Sequence, residues 1–503
     1  MGETSASVKI TYTKNLGKIH FGTTLSVPID GNVNIKTILG VYTYLYDDKV
    51  ECGSGKAILT GKVGLKVIYI DTDGISNTIS DSQSISESFV DSSITPDSYI
   101  NISNHNIVNN ILSSDGTLKI SCDIVFAPVM YLNIGLKNDQ NMFANMITKK
   151  NEIQTNSISN IVNSSFDYTC NFETKDTISK ILCHDAYFAP TSSSVDSDGV
   201  LLEGKLYSKL IYETQDGDAN TIKELQDVFN IKTQCSVSGL DDDCIPDLSF
   251  MLDRSKESIT TEIEDGNSVV TIVNNIKVCG VCVKNMSVEV VDDAFCTDCE
   301  LELNKTNRDY VNQVLQEAIN DKVNGEITLN NDETAIEEIL SCMNILPEIT
   351  NYYIKDDKMN FEGIITAHIN YLDENKDYKH RQVELPFVVS GKTNLEKFDC
   401  VRADIHVEDC RVKAKRGTII EMEFCIEILS KIYLKSSCEM IDNVTMGKAT
   451  NFGMYDYQIF LAKPNETMWD LCKRIKISPD ELLKTNKDLP LIMTGGEKIV
   501  IKR

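Results

Sequence analysis

Two cysteine pairs carry the densest chemistry the sequence offers. Cys279-Gly280-Val281-Cys282 and Cys296-Thr297-Asp298-Cys299 together make a C-x2-C-x13-C-x2-C spacing. Four thiolates so spaced suit a tetrahedral zinc ion, and either pair suits thiol–disulfide exchange. The alternative is a set of buried thiols. Val278–Val283 reads as a strand, and residues three apart on a strand point to opposite faces. Cys279 and Cys282 can therefore share an ion only across a bulge. Zinc at Cys279, Cys282, Cys296 and Cys299 is the one cofactor suggested. Several of the other cysteines, Cys122 and Cys425 among them, sit in apolar runs where Cys behaves as a small hydrophobe.

Other reactive side chains form no recognisable constellation. His20, His105, His184, His368, His380 and His406 are scattered and make no H-E-x-x-H pattern. Asp241-Asp242-Asp243 with Asp247 lacks calcium-loop spacing and reads as a solvated loop. Glu421, Glu423 and Glu427 stand at alternate strand positions, which makes a polar sheet face rather than a glycosidase pair. No nucleophile elbow, P-loop or dinucleotide fingerprint occurs. The expectation is a protein that is not an enzyme. Trp469, the only tryptophan, is either small-module core or an interface anchor. Tyr457, Met468 and Leu471 are placed on its side.

The elements that carry these residues repeat. Gly61-Lys62-Val63-Gly64-Leu65-Lys66-Val67-Ile68-Tyr69 returns as Gly204–Tyr212 and again as Gly363–Tyr371. Each copy alternates apolar residues and runs into an acidic turn, as a strand does. Upstream stand Ile35-Lys36-Thr37-Ile38-Leu39, Ile178–Leu182 and Ile336–Leu340, whose i, i+3, i+4 apolar spacing predicts a short helix. Gly61 to Gly204 and Ile35 to Ile178 are both 143 residues apart. Common offsets predict three copies of one β-rich domain, at 15–150, 151–305 and 306–447. The period is too long for a stacked solenoid, so the copies are expected as separate beads. Lys305–Val323, with Thr306 as cap and Val311, Val314, Leu315, Ala318 and Ile319 as apolar face, predicts a helix leading the third copy.

Composition sets limits. The chain has 503 residues, a net charge of −26 and 42 % hydrophobic residues. That is a folded multidomain chain. Its acidity disfavours nucleic acid and anionic membrane surfaces as partners. No basic segment leads an apolar run at the N-terminus, and no stretch has the length of a membrane helix. The expectation is a cytoplasmic protein with reduced thiols.

Residues 454–503 read differently, as βααβ. Tyr457–Phe460 is a strand, Thr467 caps Met468–Ile475, and Ser478 with Pro479 starts a second helix. Lys498–Ile501 closes the module. Tyr457, Thr467, Met468, Trp469, Ile475, Ser478, Leu482, Asn486, Gly496, Ile499 and Ile501 match the pattern of a LysM domain, which this module resembles. Pro464-Asn465-Glu466 stands where that family has Gly-Asp, in the loop that grips N-acetylglucosamine. The Gly-led strands ending in Ile68-Tyr69, Ile211-Tyr212 and Asn370-Tyr371 resemble the SPOCS repeat of spore-coat assembly proteins. Three such repeats ahead of a LysM module resemble the coat morphogenetic proteins of the SpoVID class.

That resemblance implies a non-enzymatic scaffold in the mother-cell cytoplasm, docked on the forespore surface. It implies a partner of the SpoIVA type, a coat morphogenetic ATPase. The LysM residues expected to meet a partner are Tyr457, Asn465, Glu466, Thr467, Met468, Trp469, Leu471, Ile475 and Asn486. The alternative is a module that binds peptidoglycan through N-acetylglucosamine. A wall hydrolase is a third reading, against which the repetition itself argues.

Overall fold

The computed structural model describes residues 8–28, 35–102, 105–114, 117–136, 145–196, 198–216, 219–241, 243–264, 266–330, 332–450 and 457–502. Asp242 and residues 451–456 lie outside them. The fold is mainly β. The first part holds β1 (Val8–Asn15), β2 (Ile19–Pro28), β3 (Ile35–Cys52), β4 (Lys56–Asp71), β5 (Ser76–Val90), β6 (Tyr99–Asn101), β7 (His105–Ser114), β8 (Thr117–Phe126) and β9 (Val129–Leu136). The second holds β10 (Met146–Thr174), β11 (Ile178–Asp196), β12 (Gly199–Asp216), β13 (Ala219–Ser236), β14 (Cys244–Leu252), β15 (Ser258–Glu264) and β16 (Asn267–Cys296). The third holds β17 (Cys299–Thr328), β18 (Ile336–Lys355), β19 (Lys358–Asp373), β20 (Tyr378–Lys392), β21 (Cys400–Lys415) and β22 (Ile419–Ala449).

One plan occurs three times. Each part has an antiparallel meander, β3-β4-β5, β11-β12-β13 or β18-β19-β20. Each also has a sheet whose last long strand lies between the first and a return strand: β10-β16-β14, with β15 also on β16, and β17-β22-β21. In the first part this sheet is split into β1-β9-β6 and β2-β8-β7. Alternation drives the pattern. On β22, Ile420, Met422, Phe424, Ile426 and Ile428 are buried, while Glu421, Glu423 and Glu427 are partly exposed. This is the one-sided polar face expected from the sequence.

The expected helices are strands. Ile35–Leu39, Ile178–Leu182 and Ile336–Leu340 open β3, β11 and β18. Each carries two register shifts, at Ile35/Thr37 and Ile38/Gly40, Ile178/Lys180 and Ile181/Cys183, and Ile336/Glu338 and Ile339/Ser341. A bulge inserts one residue, so a period of two becomes a local step of three and imitates a helical stripe. The leading helix over Lys305–Val323 is likewise part of β17, with a shift at Val311/Gln313 between Val311 and Val314. Its other apolar steps, Leu315 to Ile319 to Val323, are four residues long, which suits both periods.

The repeated glycine answers a further shift. Gly204 pairs with Pro190 and Gly363 with Ile349, each at a shift in the neighbouring strand, and Gly61 faces Asp47–Asp48 at the corresponding place. A Cβ on Gly204 would lie 2.4 Å from the Phe188 ring and 2.5 Å from Ala189 O. On Gly363 it would lie 2.1 Å from Glu348 O. On Gly61 the nearest atoms are 3.3 Å away. Close backbone approach therefore demands glycine in the second and third copies more than in the first.

The three copies are not separate beads. The strands β1, β10 and β17 each touch the other two. Three apolar clusters draw on all three copies: Leu39, Ile68, Leu182, Ile211 and Met343; Ile10, Ile153, Val288, Tyr310 and Met440; Val129, Tyr131, Val281, Val311, Cys400 and Tyr433. At the last of these sits a buried carboxylate. Asp247 Oδ1 accepts from Lys431 Nζ at 2.7 Å and lies 3.1 Å from Arg402 Nη1. Its Oδ2 accepts from Tyr131 OH at 3.1 Å and Tyr433 OH at 2.5 Å. Arg402 Nη2 also donates to Leu248 O at 2.7 Å. Tyr131 comes from the first copy, Asp247 from the second, and Arg402, Lys431 and Tyr433 from the third. Burial alone would raise the Asp247 pKa, but Lys431 and Arg402 outweigh it and hold the carboxyl far below its ordinary value.

Three outcomes follow from this packing. Gly363→Ala destabilises by about 1–3 kcal/mol through overpacking, and Gly61→Ala by less, read as urea midpoints. Arg402→Met takes one of two cations from Asp247 and the donor from Leu248 O, and costs about 1–3 kcal/mol. The folded Asp247 pKa is depressed, so its contribution is complete above the unfolded value of about 3.9 and drains away as pH falls below it. The gap between wild-type and Asp247→Asn midpoints is therefore full at neutral pH and narrows progressively as pH falls below about 4.

Candidate functional site

The last described residues form β23 (Tyr457–Leu461), α1 (Met468–Ile475), α2 (Pro479–Thr485) and β24 (Lys498–Lys502), the βααβ order expected. Capping sets both helices. Thr467 Oγ1 accepts from Asp470 N at 3.1 Å, and Ser478 Oγ from Glu481 N at 3.2 Å. α1 ends at Lys476 in a left-handed conformation, φ 59°. Leu471, Cys472, Ile475, Leu482, Ile499 and Ile501 fill the core between helices and strands.

Most of the residues expected to meet a partner are engaged within the chain. Leu471 and Ile475 are buried in the module's own core, because they lie on the face of α1 that packs on β24. Glu466 is buried and paired with Arg474, Nε to Oε1 at 2.6 Å and Nη2 to Oε2 at 2.8 Å. Those bonds hold its carboxyl below the usual range. Asn486 exchanges two hydrogen bonds with Val500, at 2.8 and 2.9 Å, and so fixes β24. Thr467 is a cap. Asn465 is exposed at a left-handed turn, φ 61°, with its amide on Met493 O at 2.9 Å. Met468 and Trp469 are half-buried against the cluster that contains Phe295.

Trp469 is an anchor, and it anchors the module to its own chain. Its ring meets Phe295 edge-on at 5.1 Å, and Nε1 donates to Asp293 Oδ2 at 2.8 Å. Lys473 Nζ donates to both Asp293 oxygens, at 2.6 and 2.8 Å. Burial pushes Asp293 up, yet the bonds from Lys473 and Trp469 prevail and its pKa lies below the ordinary value.

Tyr457 alone of the expected residues heads an exposed apolar face. Tyr457, Ile459 and Leu461 are 62 %, 67 % and 60 % exposed and point outward from β23. Lys502 and Lys498 lie across from Tyr457 and Leu461 on β24, with Val500 across from Ile459. Leu491 and Ile492 are 79 % and 60 % exposed on the loop before β24. That loop is joined to the one before α1 by backbone bonds, Met468 N to Leu491 O at 2.9 Å and Met493 N to Glu466 O at 2.8 Å. The amides of Thr494 and Gly495 are taken by Glu497.

The four cysteines do not converge. Cys282 is buried among Val162, Cys244 and Val278, and Cys279 faces Asn163. Both lie mid-strand on β16, whereas Cys296 ends it. Fourteen residues of strand at about 3.3 Å each separate Cys282 from Cys296 by roughly 45 Å. A single four-thiolate zinc site is excluded by that length. Cys296, Asp298 and Cys299 do come together, with ligand atoms within 4.8 Å of one another. Asp241 and Asp243 both pair with Lys284, at 3.2 and 3.0 Å.

One arrangement escaped sequence reasoning. His184 Nε2 lies 2.7 Å from Ser208 Oγ, and its Nδ1 lies 2.6 Å from Glu257 Oε1. Arg254 Nη1 lies 3.2 Å from the same Glu257 oxygen. Burial raises the Glu257 pKa, but His184 and Arg254 bring it below the usual value. The order resembles that of a hydrolase triad. Ser208 and His184 are nevertheless both buried, and a nucleophile needs substrate contact. A cavity of about 180 Å³ lined by Tyr207, Ser208 and Lys209 lies beside β12. Alternation along β12 turns the Ser208 hydroxyl to the face opposite Tyr207 and Lys209. The trio is a satisfied core network that holds Arg254–Lys256 to the meander. The signal was available: the glycine landmarks align Ser208 with Leu65 and Ala367, so a polar residue stands at an apolar position.

A larger cavity, about 490 Å³, lies between the three copies. Its charged lining is already paired, Lys18 with Glu348 at 2.6 Å, Lys431 with Asp247 at 2.7 Å, and Arg402 with Asp247 at 3.1 Å. Among the described residues no helix is long and apolar enough to cross a membrane. No protein-family model matches the chain, and neither does any curated protein or solved structure.

The docking contact is testable through the only tryptophan. Asp293→Ala removes the acceptor of Trp469 and Lys473, a loss of about 1–3 kcal/mol. Trp469 emission shifts to the red, and limited proteolysis releases the C-terminal module sooner than in the wild type.

Proposed function

We propose that the chain is a non-enzymatic assembly scaffold whose C-terminal module docks on a protein partner through the outer face of β23. The observation that carries this reading is the row Tyr457, Ile459 and Leu461, exposed and flanked by Lys498 and Lys502. Such a face suits a partner patch that is apolar at its centre and acidic at its rim. Aromatic and aliphatic anchors give affinity, and the lysines steer approach. The interlocked copies supply a stiff mount for it. Trp469 is spent on that mount, which leaves Tyr457 as the aromatic anchor for a partner.

The resemblance to SPOCS and LysM modules supplies the rest. It assigns the scaffold to spore-coat assembly at the forespore surface, with a SpoIVA-type coat ATPase as partner. A glycan role is less favoured by the module's geometry. The loops that would grip N-acetylglucosamine are joined to each other by their own backbone, through the amides of Asn465, Met468 and Met493.

Binding of the full chain to the purified coat ATPase, measured by calorimetry, tests the proposal. Ile459→Glu introduces a charge into the apolar row and weakens binding by about tenfold or more, near 1.4 kcal/mol, with folding unchanged by circular dichroism. Saturable binding of chito-oligosaccharide, untouched by Ile459→Glu, would replace the scaffold reading with the peptidoglycan one.

A further inference from the structure

We propose that the turn Cys296-Thr297-Asp298-Cys299 is a binding site for one thiophilic divalent cation, zinc above all. The cation is held by the Cys296 and Cys299 thiolates and the Asp298 carboxylate. The fourth position is open to water or to a group from a partner.

The donors are already gathered. The two Sγ atoms and a carboxylate oxygen lie within 4.8 Å of one another. Zinc–sulfur bonds of about 2.3 Å and zinc–oxygen bonds near 2.0–2.2 Å place tetrahedral ligand atoms roughly 3.5–3.8 Å apart. The Cys296 Sγ to Asp298 Oδ1 contact, 2.6 Å, is shorter than that. The cation replaces that S–H···O bond and opens it by about 1 Å. Each thiol gives up its proton on binding, two in all. Two sulfurs in the set favour zinc over magnesium or calcium, which take oxygen ligands.

The turn is also held from outside. Asp298 Oδ2 accepts from Asn145 Nδ2 at 3.1 Å, which orients the carboxylate as an outer partner of a metal ligand does. Thr297 N donates to Asn145 O at 3.3 Å, and Thr450 N to Asp298 O at 2.8 Å. Lys476 Nζ, from the residue that caps the C-terminal end of α1, donates to Cys299 O at 3.3 Å. The start of β10, the end of β22 and the C-terminal module thus converge on the turn. Cation binding there would stiffen the seat of the module, three residues from Asp293.

The test uses the full-length protein, reduced, stripped with chelator and titrated with zinc against a chromogenic competitor and with cobalt(II) spectroscopically. The expected result is one equivalent of zinc per chain, and a thiolate-to-cobalt charge-transfer band with the d–d intensity of a tetrahedral ion. Cys299→Ser abolishes the band, and the pair Cys279→Ser with Cys282→Ser leaves it intact. Asn145→Ala touches no donor atom and weakens affinity by about 10–100-fold. It serves as the deciding variant where Cys299→Ser misfolds. Absence of stoichiometric metal, a band that survives Cys299→Ser, a band lost with Cys279 and Cys282, or unchanged affinity in Asn145→Ala would each overturn the site.

Discussion

The molecule is organised around one buried carboxylate. Asp247 accepts hydrogen bonds from two tyrosines contributed by different copies and pairs with a lysine and an arginine of the third. A charge so buried is costly unless every partner is in place. The network therefore admits one relative placement of the three copies, and the apolar clusters around it supply the attraction. The division of labour is physical. Valines, isoleucines and tyrosine rings stabilise contact without direction, while the Asp247 bonds require particular atoms at particular distances.

The same logic recurs at smaller scale where the C-terminal module meets β16. Asp293 serves Trp469 and Lys473 at once, and Phe295 gives the apolar backing. Fixing the module this way spends its strongest anchor inside the chain. What stays available is the outer face of β23 with its two flanking lysines. A stiff body carrying a small module with one apolar face is the arrangement on which a docking role rests. The cysteine turn beside Asp293 lies at the seat of that module, so a cation there would act on the joint rather than on the docking face.

Several features were legible in the chain because they are local. The glycine-led strands, the acidic turns, the Thr467 and Ser478 caps and the polar face of β22 follow from side-chain period and capping chemistry. The bulged strands were not legible. Two register shifts in each of β3, β11 and β18 convert alternation into a helical spacing, and nothing in the spacing separates the cases. The neighbouring strand decides it, because bulges are defined by pairing. The Gly204 and Gly363 landmarks belong to the same cause, since each meets a shifted partner that leaves no room for a Cβ.

By itself the sequence determined the β-rich class, the threefold recurrence, the βααβ end of the chain and the absence of a familiar catalytic motif. Those are properties of period, spacing and residue type. Tertiary structure alone decided which donors meet. Four cysteines in a zinc-like spacing are parted because a strand holds its residues at about 3.3 Å intervals and cannot fold back on itself. Cys296 and Cys299 instead gain Asp298 at a turn, where the chain does reverse. Ser208, His184 and Glu257 meet because β11 and β12 pair in one register and the turn after β14 returns across them. Trp469 faces inward because Asp293 and Phe295, some 175 residues earlier, stand where its ring can reach both. Contacts between residues so far apart depend on the path of the backbone, and side-chain period alone does not carry that path.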